Sequence, residues 1–115
     1  MSDLYAITKE LSNHLDELKL KFEQNEKPEA NKEFFLQMKK ETNPIFNLLE
    51  YWEKTAFHFV QNESSLLGKE QIAATKENME SLILHSYYID VRKRRYFDMY
   101  RSCHYIFNQL LRELT

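Results

Sequence analysis

Four histidines, one cysteine and a short run of cations are the residues of this chain best suited to chemistry. The histidines, His14, His58, His85 and His104, are spread along the whole sequence. On a helical scaffold they raise the prospect of a carboxylate-bridged di-iron site. Such sites use Glu-x-x-His pairs, because a spacing of i, i+3 turns both ligands inward at one level. Three residues before each histidine stand Leu11, Thr55, Leu82 and Arg101, none of them a carboxylate. A shared site across alternating helices fails on distance: His58 and His85 fall roughly 25 Å apart along the axis at 1.5 Å per residue. Zinc holds its ligands at about 2 Å. Packing or surface roles are expected for all four, with no metal and no cofactor.

Cys103 stands one turn from both Tyr100 and Phe107. A nucleophilic thiol needs partial exposure and a neighbouring base. His104 is adjacent in sequence but projects about 100° away around a helix. A buried, inert cysteine is therefore expected. With one glycine in the chain there is no nucleophile elbow and no phosphate loop. Enzyme activity is not expected, although a site assembled only by folding would leave no trace in the sequence.

The run Arg92-Lys93-Arg94-Arg95 is the strongest binding feature. All five arginines lie beyond residue 90, the others being Arg101 and Arg112. If a helix begins near Val91, its first turn holds cations where the dipole disfavours them. A local rule broken in this way can mark a meeting place for a carboxylate or phosphate. The structural alternative is neutralisation by Glu23, Glu26 and Glu29 at the end of the first helix, in surface pairs that stabilise little. A second polar group, Gln71, Thr75, Asn78 and Ser86, lies on or beside the inward face of a later helix. It is expected either to permit close helix approach, with hydroxyls bonded to the preceding turn, or to form a polar network.

Helices must position these groups. Leu4, Ile7, Leu11, Leu15, Leu18 and Phe22 hold one narrow stripe, with Ser2 or Asp3 as cap and 24–28 as the end. A second segment over about 31–62 carries Phe34, Phe35, Met38, Ile45, Leu48, Leu49, Trp52, Ala56, Phe59 and Val60. Asn43-Pro44 predicts a kink or a brief break within it. Residues 62–68 form the clearest connection. A third helix turns Ile72, Thr75, Met79, Leu82, Ile83 and Ser86 inward. A turn is placed near Tyr88–Val91, with Asp90 capping a fourth helix that carries Tyr96, Met99, Tyr100, Cys103, Ile106, Phe107, Leu110 and Leu114. Trp52 is read as core. Four amphipathic helices with short connections predict an all-α, antiparallel up-and-down four-helix bundle, a single domain over 1–115.

Bulk properties agree. Of the 115 residues, 43% are hydrophobic and 30% charged, too apolar for a disordered chain. One Gly and two Pro leave little for hairpin turns, which argues against an all-β fold. The net charge of −2 recruits neither nucleic acid nor an anionic membrane. No apolar run approaches the roughly 20 residues of a membrane span, and no signal-peptide pattern opens the chain. A single cysteine gives no disulfide framework, so a cytoplasmic setting is expected.

The stretch Gln71-Ile72-Ala73-Ala74-Thr75-Lys76-Glu77-Asn78-Met79, then Ser86-Tyr87-Tyr88 and Arg92-Lys93-Arg94-Arg95-Tyr96, resembles the YppE-like family of small Bacillus-type proteins. Trp52 and Tyr100-Arg101-Ser102-Cys103-His104-Tyr105 fit the same pattern, over roughly Leu49 to Phe107. The resemblance implies a left-handed up-and-down four-helix bundle and, the family having no known function, no catalytic residues. The leading expectation is a non-enzymatic cytosolic protein-binding or scaffolding module. The alternative is a binder of an anion or phosphate-bearing ligand through Arg92, Lys93, Arg94 and Arg95.

Overall fold

Four α-helices account for almost all of the structure, a computed structural model that describes residues 2–24, 31–88 and 90–115. They are α1 (Ser2–Gln24), α2 (Lys32–Asn62), α3 (Lys69–Tyr87) and α4 (Lys93–Glu113), with no strand among the described residues. Each sequence-derived stripe for α1 and α3 is buried in full. One apolar core cluster draws on all four helices.

Consecutive helices run antiparallel. The start of α1 meets the second half of α2 through Thr8 and Trp52, and the end of α3 meets the start of α4 through Ser86 and Tyr96. Each helix packs on its sequence neighbour, α4 returns to α1, and α1 also touches α3 across the bundle. α2 and α4 make no close backbone approach. The cross-section is therefore a rhombus with α1–α3 as its short diagonal. Side-chain size explains this. Ser86, on α3, is small enough for its hydroxyl to donate to the Leu18 carbonyl of α1 at 3.1 Å. On the long diagonal, Trp52 of α2 and Phe107 of α4 meet edge to face, ring centres 5.4 Å apart.

Several expectations are corrected. Of the two readings at Pro44 only the brief break is excluded: α2 is one helix through it, with Met38, Thr42, Ile45, Leu49, Trp52 and Ala56 on one buried stripe at spacings of 4 and 3. Pro44 is exposed, on a side of the helix where solvent can serve the carbonyl that loses its partner. Asp90 does not cap α4. Arg92 holds the N-cap position in extended geometry (φ −62°, ψ 136°), without a side-chain cap. Asp3 lies inside the first turn of α1 rather than ahead of it. Phe35, assigned to the core, is 46% exposed. The 62–68 connection stands as expected: Ser65 Oγ donates to Glu113 and accepts from the Leu67 N–H, and Gln71 Oε1 accepts from the Gly68 N–H to start α3. Residues 25–28, expected to end α1, lie outside the described residues, as does Ile89.

Candidate basic groove at the start of α4

The basic run falls where it costs most. Lys93, Arg94 and Arg95 occupy the first turn of α4 and Arg92 its N-cap, with no acidic residue in that turn. Near a helix N-terminus each cation is disfavoured by roughly 0.3–1 kcal/mol at low ionic strength. Tyr96 and Met99 are the first residues of α4 to face inward, so the buried stripe of this helix begins only after the basic run. All four cations are exposed, and none makes an ion pair with a described residue. Glu23 is exposed and unbonded to them; Glu26 and Glu29, its expected companions, lie outside the described residues.

Arg92, Arg94 and Arg95 line one surface groove of about 340 Å³, with Asn78 of α3 and Asp98 and Met99 of α4. Lys93 is not part of that lining. Asp98, the only carboxylate among the described residues there, is committed to Arg101 one turn along. The groove thus offers guanidinium and amide donors, and the helix start adds backbone N–H groups that no side chain caps. Such an arrangement grips an oxyanion, a carboxylate or a phosphate, in bidentate fashion.

The four polar residues of α3 do not form one network. Gln71 is exposed and closes the start of its own helix. Thr75 is buried and donates to the Gln71 carbonyl at 2.7 Å, the back-bond expected of it. Asn78 belongs to the basic groove. Ser86 reaches out of its helix altogether. Its single proton goes to Leu18, so at 2.7 Å it is Tyr96 that donates to Ser86 Oγ. The chain Tyr96–Ser86–Leu18 ties three helices together, with the Tyr96 ring stacked on Phe22 at 3.8 Å. Spacing could not reveal it, because its members are 68 and 10 residues apart.

Cys103 is fully buried, its Sγ 3.8 Å from the Thr75 carbonyl, and burial pushes its thiol up to about 12. The histidines find local partners: His14 sits beside Glu10 and Glu17, His58 beside Asn62 and His104 beside Asn108. No three His, Cys, Asp or Glu among the described residues are grouped to hold a metal. Sequence reasoning missed a cleft of about 320 Å³ where His14, Glu17, Glu41 and Tyr87 meet. Tyr87 donates to Glu41 there at 3.2 Å, and burial followed by the Glu41 charge raises its phenol to about 12. A phenol so raised keeps its proton at neutral pH and cannot serve as a base.

No described helix is long and apolar enough to cross a membrane. The family model for a bacterial domain of unknown function, DUF1798, matches residues 8–114. Among curated proteins nothing matches. The crystal structure of protein yppE from Bacillus subtilis is similar with a TM-score of 0.86, at 22% identity over 98% of this chain and 93% of that one. At that identity the likeness speaks for the fold. The family match carries the resemblance read over Leu49 to Phe107 across nearly the whole chain.

Proposed function

The chain belongs to the DUF1798 family of bacterial domains of unknown function, and from that premise we propose that it is a non-enzymatic, cytosolic protein-binding module whose groove at Arg92, Arg94 and Arg95 holds an acidic group of its partner. The observation that carries this reading is the convergence of three guanidiniums, none in an ion pair with a described residue, on one groove. Held at a helix start, these cations oppose the dipole until an anion joins them. Asn78 adds a donor from α3. A buried thiol that keeps its proton, and a phenol that does the same, leave the described clefts without an activated nucleophile or base of those types. A second reading takes the anion as a small phosphate-bearing ligand, supported by the uncapped backbone N–H groups of the first turn.

Titration with poly-L-glutamate and, separately, with inorganic phosphate, followed by NMR, tests both. The first reading expects poly-L-glutamate to shift the Asn78 side-chain amide and the backbone amides of 93–96, less so as salt rises. Arg94→Gln/Arg95→Gln should remove most of that response while leaving stability unchanged or raised by several tenths of a kcal/mol. A response to phosphate alone would transfer the groove to the second reading. Silence toward both would remove it from either. A double variant that unfolds would show the cluster to be structural.

A further inference from the structure

The first two turns of α2 carry a second amphipathic stripe that the bundle does not use. Met38 is the first buried residue of this helix. Leu36 lies two residues earlier, about 200° around the helix, and so points away from the core. It is 57% exposed, and its neighbour Phe35 is 46% exposed. Lys32, Phe35, Leu36 and Lys39 fall at i, i+3, i+4 and i+7, one face of a helix. Together with Tyr88, whose ring lies within 13° of parallel to that of Phe35, they line an open groove of about 520 Å³. Scattered exposed apolar residues need no explanation, but a pair on an aromatic platform with a lysine at each end forms a patterned surface.

We infer that this stripe is a docking site for an amphipathic helix of a partner protein, one with two apolar residues at its centre and a carboxylate at each end. The pattern is the footprint by which one helix reads another, in i, i+3, i+4, i+7 anchors. Charge fixes the sign of the occupant. Lys32 and Lys39 stand about 10.5 Å apart along the helix, so Glu residues at i and i+7 of a helix laid alongside meet both while two leucines between them cover Phe35 and Leu36. No carboxylate of a described residue lines the groove. The inference rests on the binding-module reading but uses a different surface, so the two can fail separately.

The test uses the full chain and a labelled, end-capped helical peptide with Glu at i and i+7 and Leu at i+3 and i+4. Fluorescence anisotropy should show saturable binding, and a peptide with Lys at the two charged positions should not bind. Leu36→Ser should weaken the complex about tenfold or more, as loss of a central anchor does, without unfolding the protein, since Leu36 contributes nothing to the core. Lys32→Glu/Lys39→Glu should reverse the preference between the two peptides. Arg94→Gln/Arg95→Gln should still bind the peptide even where it no longer answers poly-L-glutamate. The inference is overturned if the glutamate peptide fails to bind or binds Leu36→Ser equally well. Loss of peptide binding in Arg94→Gln/Arg95→Gln would place the peptide in the basic groove and also overturn it. A wild-type dimer that Leu36→Ser converts to monomer would give the face to a second copy instead. Co-sedimentation with phosphatidylglycerol vesicles through the same residues would give it to a membrane.

Discussion

Trp52 Nε1 donates to Thr8 Oγ1 at 3.0 Å, and Thr8 passes its own proton to the Leu4 carbonyl at 2.7 Å, so the largest side chain of the core has its one polar atom satisfied 44 residues away. Both residues are 0% exposed. Thr8→Val keeps the volume and removes the acceptor. The variant should lose about 1–3 kcal/mol, the cost of a buried donor without a partner. Thr8→Ser, which keeps the hydroxyl, should lose less, mainly for the missing methyl. Urea unfolding followed by Trp52 fluorescence measures both, and a smaller loss for Thr8→Val than for Thr8→Ser would show that shape rather than the hydrogen bond matters.

The Tyr96–Ser86–Leu18 chain predicts an asymmetry. Ser86→Ala strands the buried Tyr96 hydroxyl and should cost about 1–3 kcal/mol. Tyr96→Phe keeps the ring on Phe22 and leaves Ser86 still donating to Leu18, so its cost should be nearer 0.5–1.5 kcal/mol, that of one ordinary hydrogen bond. The double variant should lose less than the sum, because once either partner is gone the second change breaks no further contact between them. Strict additivity in a double-mutant cycle would contradict this pairing.

Alkaline stability follows from protons the fold retains. Burial raises Cys103 from 9.0 to about 12, and burial is also the largest cause raising Tyr87, Tyr96 and Tyr100 from 10.0 to about 12. For each, the folded form binds its proton more tightly than the unfolded form, so the stability concerned is intact below the unfolded value and is lost as pH climbs toward 12. Stability should therefore fall steeply between about pH 9 and 12, with Cys103→Ala postponing the onset. In the native state Cys103 should react with a thiol reagent only at the rate of unfolding. Rapid labelling at neutral pH, or a flat stability curve to pH 11, would contradict the burial argument.

The local part of this protein was legible in its sequence. Apolar spacing determined four helices, the inward residues of α1 and α3, the 62–68 connection and the cations at the start of α4, because each depends on helical period and on contacts within a few residues. Asp90 misled for the same reason: it carries a strong local cap signal, yet α4 starts later, with Arg92 at the N-cap. What only the tertiary structure decided involves partners far apart in the chain: the Thr8–Trp52 bond, the Tyr96–Ser86–Leu18 chain and the rhombic cross-section set by a small Ser86 and a large Trp52. The groove itself is of this kind, since Asn78 joins Arg92, Arg94 and Arg95 only when α3 packs on α4. Phe35 shows the limit most clearly. Its period fits the core face, and it stays outside because the core stripe of α2 begins at Met38. Periodicity shows which residues share a face of a helix, and only the packed neighbours decide whether that face is covered.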